Sequence, residues 1–367
     1  MRLTFIAGAR PNFMKVAPLI DACRQWPDVQ PLLVHTGQHY DDHMSAQFFR
    51  DLQMPAPDVH LEVGSANHAV QTARIMTAFD ESLDLHPTDT VVVVGDVNST
   101  LACALVAVKR GIRVAHVEAG LRSYDRNMPE EINRILTDRI SDCLFTTERD
   151  AGLTLQREGT SPDRIFFVGN VMIDTLMKHR VLARERATVL DRLSLKPRAY
   201  AVCTLHRPSN VDTAESARRT LSAVSELSNR VPVVLPLHPR TARQLEQFGL
   251  LESLRAKAIL LEPLGYLDFL ALLDHAKLVL TDSGGIQEET TVLGVPCLTF
   301  RENTERPITV THGTNTVVGL DPQRVAIEVD KLMTGSTFEP RIPELWDGHA
   351  AERIIAVLRE KRPAQLL

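Results

Sequence analysis

Residues 90–100 read TVVVVGDVNST, and the fold class turns on this stretch. Thr90 and the four valines after it are all β-branched, so the run suits a strand, and it is apolar toward both sides. A strand with one wet face would alternate, whereas one covered by helices on both faces reads as a continuous apolar run, the signature of a parallel sheet. Working outward, runs of the same kind stand at RLTFIAG (2–8) and PLLVHT (31–36) before it, and at RVAHVEAG (113–120), CLFTT (143–147) and RIFFVG (164–169) after it. The second half repeats the scheme with YAVCTL (200–205), VPVVLPL (231–237), AILLEP (258–263), LVLTD (278–282) and VPCLTF (295–300). Helical patterns such as Ala214–Ser228 and 285–293 lie between them. The expected class is therefore α/β, with two Rossmann-like, doubly wound domains. The Arg-rich stretch 183–198 carries no strand and ends in KPR, which places domains at 1–183 and 184–349. The amphipathic segment 350–361 is expected to pack, with the rest of 350–367, back on the first domain.

The 367 residues are ample for two domains. With 41 Lys and Arg against 46 Asp and Glu, net charge −5, the chain has no basic footprint for nucleic acid. Its five cysteines are scattered singly, a reduced pattern without a disulfide framework. No segment nears the ~18 apolar residues of a membrane span, and the N-terminus lacks a leader pattern. A cytoplasmic protein with no membrane partner is expected.

Ligands of open parallel sheets sit beyond the carboxyl ends of the strands, so the residues that follow each strand are the candidates. The first strand runs into GARPNFMK, where Arg10 and Lys15 accompany a helix start and suit an anion. LVLTDSGGIQEE places Ser283, Gly284 and Gly285 at another strand-to-helix turn, where backbone N–H groups can approach a diphosphate. Glu289 can accept from ribose hydroxyls there, while Glu288 reads as a partner of the helix dipole. Asp96 and Glu118 each stand just past a strand; Asp96 also suits a helix N-cap, and Glu118 does so poorly. In HVEAGLRSYDRNMPEEINR (116–134), Asn127 and Glu130 read as a capping box. Ile132, Ile135, Leu136 and Ile140 read as the buried stripe, with Glu130 opposite it, and Glu131 and Arg134 as partners on the helix surface. His206 and His238 end strands of the second half, with His206 the better placed for a ligand. His35, His39 and His43 do not share one face with further ligands, so no metal is expected.

The order and spacing of GARPNFMKVAPLI, GQHY, GDVNST, HVEAGLRSYDRNMPEEINR, GNVMIDTL, TLHRPSN, TDSGGIQEE and NTERP, over nearly the whole chain, resemble the non-hydrolysing UDP-N-acetylglucosamine 2-epimerases. The resemblance implies a GT-B type fold with a UDP-sugar in an interdomain cleft, a homodimer, and C2 epimerisation to UDP-N-acetylmannosamine for surface polysaccharides. By matching position it implies that Arg10, Lys15, Asp96, Glu118, Glu130 and His206 surround the diphosphate and sugar. It likewise implies UDP contacts for Ser283, Gly285, Glu289 and Arg306. Two motifs depart from the commoner family pattern: GARPNF stands in place of G-T-R-P-E, and HRPSN in place of H-R-R-E, near which many bacterial members bind a second UDP-N-acetylglucosamine as activator. Gln38, His39 and Arg207 of that region remain. No dinucleotide fingerprint is present, and no cofactor is expected. Rival readings are a UDP-2,3-diacetamido-glucuronic acid epimerase, a hydrolysing epimerase, a GT-B glycosyltransferase and a nucleotide-sugar sensor.

Overall fold

The computed structural model describes residues 1–37, 51–334 and 341–361, with the side chains of Arg10 and Pro11 outside the description. The chain forms two compact units, Met1–Met177 with Glu344–Leu367, and Lys178–Pro343.

Unit 1 contains a seven-stranded, wholly parallel sheet. Its strands are β1 Arg2–Ala7, β2 Gln30–His35, β3 Val59–His60, β4 Thr90–Val94, β5 Arg113–Val117, β6 Cys143–Thr146 and β7 Ile165–Phe167, in the order β3-β2-β1-β4-β5-β6-β7. All five residues of β4 are buried, as their apolarity toward both sides requires. The helices of this unit that bear on the site are α1 Arg10–Cys23, α2 His68–Leu85, α3 Asn98–Lys109 and α4 Pro129–Ile140, followed by α5 Val171–Arg186, which begins in this unit. Small residues on α3, Ala102, Cys103, Ala104 and Ala107, are fully buried and let the helix lie close against its neighbours. The C-terminal helix Ala350–Glu360 packs on α1. Asp174 on α5 accepts the N–H groups of Ala350 and Ala351, the open donors of that helix start, at 3.2 and 2.7 Å. Trp346 is buried just before it and donates its indole N–H to the Thr147 carbonyl at 3.0 Å.

Unit 2 contains a six-stranded parallel sheet of β8 Ala201–Thr204, β9 Val233–Pro236, β10 Ile259–Leu261, β11 Leu278–Thr281, β12 Cys297–Thr299 and β13 Asn315–Val317. The order is β10-β9-β8-β11-β12-β13. Its site-bearing helices are α6 Ala214–Ser228, α7 Tyr266–His275 and α8 Gly284–Leu293. Thr213 starts α6 with a reciprocal pair, its Oγ1 accepting the Ser216 N–H at 3.1 Å while Ser216 Oγ accepts the Thr213 N–H at 3.2 Å. β3 and β13 are strands that the apolar runs did not mark: they are two and three residues long and sit at sheet edges, where neither length nor burial leaves a pattern.

Candidate functional site

Strand order reverses between β1 and β4 in unit 1, and between β8 and β11 in unit 2. The chain leaves the carboxyl ends of these four strands directly into the candidate residues, the place where open α/β sheets bind ligands.

In unit 1, Asn12 on α1 organises the turn after β1. Its Oδ1 accepts the Gly8 and Ala9 N–H groups at 3.2 and 3.0 Å, and its Nδ2 donates to the Val94 carbonyl at 3.1 Å. The two amides that lead into α1 are thus engaged by a side chain. One helical turn on, Lys15 is 7% exposed and its ammonium pairs with the Glu118 carboxylate. Gly95, with φ +65°, makes room for that ammonium: a Cβ there would stand 3.1 Å from Lys15 Nζ. Arg10 begins α1, and its side chain, like Gln38, His39 and His43, lies outside the described residues.

Glu118 follows β5 with φ +72°, a left-handed conformation that residues other than glycine mostly avoid. Its N–H is held by the Phe145 carbonyl at 3.1 Å, and the side chain is buried. Beneath it lies a network that the sequence reading did not single out. His116 Nδ1 lies 2.6 Å from Asp138 and its Nε2 lies 2.8 Å from the Gly95 carbonyl, while Asp138 also accepts from Gly120 N–H at 3.1 Å and Arg122 at 2.7 Å. Burial drives the Asp138 carboxyl upward, but His116 and Arg122 outweigh it and hold it below its ordinary range. The turn after β4 and the loop after β5 are therefore braced against each other.

α4 is turned opposite to the expected way. Glu131, Asn133, Arg134, Thr137 and Asp138 are buried, whereas Leu136 is 46% exposed and Ile132, Ile135 and Ile140 are only half-buried. Arg134 is the reason: its guanidinium bridges Glu131 and Asp96. Glu131 in turn accepts the N–H groups of Ser123 and Tyr124 at 2.9 Å each. So Glu131 and Arg134 do pair, but inside the unit and not on its surface. Met128, not Asn127, precedes the first helical turn, and no side chain caps it, so the capping box at Asn127 and Glu130 does not form. Asp96 is likewise not the N-cap of α3, which is Val97. Glu130 is half-buried and has no hydrogen-bond or ion-pair partner among the described residues, which leaves its carboxylate available.

In unit 2, His206 follows β8 and its ring is positioned by Asp282, which follows β11. Nδ1 lies 3.0 Å from the Asp282 carboxylate, and the imidazole remains 56% exposed. Asp282 is fully buried and also accepts the N–H groups of His206 and Arg207 and the Asn210 amide, at 2.8 to 2.9 Å. Burial raises the Asp282 carboxyl, and these contacts, led by His206, pull it below its usual value. Asp282 was not among the candidate residues, although it ends a strand just as Asp96 does.

Ser283 is the N-cap of α8 with no side-chain cap, and its own N–H is taken by Thr281 Oγ1 at 3.0 Å. The first-turn N–H groups from Gly284 onward have no acceptor within the helix. Gly284 has a packing reason of its own, because a Cβ there would come within 2.8 Å of Glu305. Beside it lies a cluster of buried charge. Arg301 pairs with Glu305 at 2.7 Å, Arg306 with Glu288 at 2.7 Å, and Arg207 reaches Glu305 at 3.4 Å. These guanidinium groups and their carboxylate partners stand next to an open helix start. Glu305 is pushed up by burial and held well below the carboxylate range by Arg306, Arg301 and Arg207. Glu288 is thus a buried ion-pair partner of Arg306 and lies beyond the first turn, not a dipole partner. Glu289 is buried, pushed up to about 7 by burial, and accepts the Tyr266 hydroxyl at 3.0 Å. His238 serves its own helix, its Nδ1 accepting the Arg240 N–H at 3.2 Å. Among the described residues no group of three His, Cys, Asp or Glu side chains is arranged to hold a metal ion, and no helix is long and apolar enough to cross a membrane.

Comparison with known proteins bears on the sites of both units. The family profile described as UDP-N-acetylglucosamine 2-epimerase matches residues 21–359. A protein of Methanocaldococcus jannaschii named UDP-N-acetylglucosamine 2-epimerase is 40% identical over 364 residues, covering 98% of this chain and 99% of its own. A Pseudomonas aeruginosa protein named UDP-2,3-diacetamido-2,3-dideoxy-D-glucuronate 2-epimerase is 38% identical over 361 residues, covering 98% and 99%. The crystal structure of the Methanocaldococcus jannaschii UDP-GlcNAc 2-epimerase in complex with UDP-GlcNAc and UDP superposes with a TM-score of 0.90 at 39% identity, over 98% of this chain and 100% of that one. Two parallel sheets flanked by helices, with such neighbours, make the fold GT-B-like.

Proposed function

Because the chain belongs to the UDP-N-acetylglucosamine 2-epimerase family, an isomerase family, we propose that it interconverts UDP-N-acetylglucosamine and UDP-N-acetylmannosamine by eliminating UDP and adding it back. The observation that carries this reading is the gathering of Lys15, Asp96 and Glu118 at the switch point of one sheet, and of His206, Asp282 and the α8 start at that of the other.

The C2 proton of the sugar has no carbonyl beside it, so a carboxylate near neutral pH cannot remove it directly. Breaking the C1–O bond first expels UDP with the bonding electron pair, and the positive charge growing at C1 acidifies C2–H. A carboxylate then takes the proton and leaves a glycal. Return of a proton to the opposite face of C2, with UDP adding back to C1, completes the exchange. This route needs acid/base groups toward both faces of C2, the role assigned to Asp96, Glu118 and Glu130. It also needs stabilisation of the departing diphosphate, assigned to Arg10, Lys15, His206 and the α8 start at Ser283, Gly284 and Gly285. Glu289 and Arg306 complete the UDP contacts, with Glu289 on the ribose. The same resemblance supports a cytoplasmic homodimer that supplies precursors of surface polysaccharides.

A second substrate is favoured by one observation, the Pseudomonas aeruginosa relative named for the diacetamido-uronate, at nearly the same identity as the Methanocaldococcus jannaschii enzyme. Offering both UDP-sugars separately and resolving products by chromatography tests the reading. UDP-linked N-acetylmannosamine is the expected product; turnover of the uronate alone would replace the substrate, and release of free N-acetylmannosamine would replace the reaction.

A further inference from the structure

The loop between β5 and α4 holds two residues other than glycine in the left-handed region, Glu118 at φ +72° and Tyr124 at φ +59°. For Glu118 the proposed chemistry supplies a reason. Tyr124 has none yet. A bulky aromatic residue is among the least suited to this conformation, which glycine adopts without strain. Its side chain is 76% exposed, so no core packing offsets the strain.

What offsets it is a clamp on the backbone. Glu131, 1% exposed, accepts the Tyr124 N–H with Oε1 and the Ser123 N–H and hydroxyl with Oε2, all at 2.9 Å. Ser123 Oγ accepts the Asp125 N–H at 3.2 Å, and Asp125 accepts the Asn127 N–H at 3.0 Å, so the turn is fixed on both sides of the tyrosine. The clamping carboxylate is joined through Arg134 to Asp96. Tyr124 is therefore presented by the same buried charges that seat a candidate acid/base residue. Strain held in place by a dedicated network, at a residue whose side chain stands in solvent, points to a ligand contact.

We propose that Tyr124 is a specificity-determining residue that contacts the hexosamine of the substrate, its ring lying against the C–H face of the sugar. The inference rests on the proposed function. A tyrosine suits this task because its rigid ring offers apolar area for a C–H face and its hydroxyl stays wet. The nucleotide half of the substrate is not part of this contact.

The test compares the full chain with its Tyr124→Gly and Tyr124→Phe variants for KM with UDP-N-acetylglucosamine, dissociation constants for UDP-N-acetylglucosamine and for UDP by calorimetry, and melting temperature. Tyr124→Gly should raise KM and weaken UDP-N-acetylglucosamine binding about 10-fold, the size of a lost aromatic contact. It should leave UDP affinity within two-fold and the melting temperature unchanged or higher, because glycine relieves the left-handed backbone. Tyr124→Phe, which keeps the ring, should retain most of the binding; a loss there equal to that of Tyr124→Gly would mean that the ring does not lie against the sugar and would overturn the inference. A Tyr124→Gly protein with unchanged UDP-sugar binding, or one that loses UDP and UDP-sugar equally, overturns the inference. Should the wild-type chain bind UDP-N-acetylglucosamine without epimerising it, the proposed function falls, and the calorimetric comparison still decides the role of Tyr124.

Discussion

Glu289 joins burial, hydrogen bonding and ligand recognition in one side chain. Enclosed beside Tyr266 it is pushed up to about 7, so near neutrality the free protein carries it partly protonated. If it accepts from ribose hydroxyls, the ionised form is the binding form. With its free-state value raised, that form is scarce at pH 6 and dominant at pH 8, so affinity for UDP-N-acetylglucosamine should rise by up to about 10-fold over that window. The diphosphate diester of this ligand does not itself titrate there. Titration calorimetry at pH 6, 7 and 8 checks the slope, and Glu289→Gln should flatten it; an equal slope in the variant would remove Glu289 from the ribose. At this scale the sequence told position better than environment. Glu118, His206 and Ser283 became candidates because each follows a strand, whereas Asp282 follows one too and went unremarked. Its burial and its four donors are properties of the folded site alone.

α4 is where the sequence pattern and the packing disagree. Its isoleucines and Leu136 recur at helical spacing, which ordinarily marks the face toward the core. Here the inward face consists of Glu131, Asn133, Arg134 and Asp138, each holding a loop or another charge. Periodicity counts apolar side chains; it cannot register that a carboxylate and a guanidinium have found each other and the backbone of a neighbouring loop. Arg134→Met, which strands Glu131 and Asp96 without their cation, should therefore destabilise unit 1 by about 3 kcal/mol or more. Leu136→Gln, on the outward face, should stay within about 0.5 kcal/mol. Urea unfolding followed by circular dichroism separates the two, and the reverse ranking would mean that the apolar stripe faces inward after all. The central strands carried no such ambiguity, because β4 and β11 are apolar toward both sides and buried on both.

On the scale of the whole molecule, β1 and the helix Ala350–Glu360, far apart in sequence, both belong to unit 1: β1 sits at its switch point, and the C-terminal helix packs on α1 while Asp174 on α5 holds its start and Trp346 just before it bonds the Thr147 carbonyl. The alternation of apolar strands and helices was enough to read two doubly wound sheets, and the ends of four strands were enough to find most candidate residues. The bracing of those ends, by Asn12, His116 with Asp138, Arg134 and Asp282, became visible only in three dimensions, since each brace joins segments far apart in sequence.

In the proposed reaction, carboxylates at the unit 1 switch point exchange the C2 proton of a sugar that leaves and rejoins UDP. Incubation of the full chain with UDP-N-acetylglucosamine in D2O, followed by proton NMR, tests it in one experiment. The expected result is deuterium at C2 of both epimers with the sugar linked to UDP at the end of the reaction. Epimerised product that retains protium at C2 would contradict it, and the acid/base roles of Asp96, Glu118 and Glu130 would fall with it.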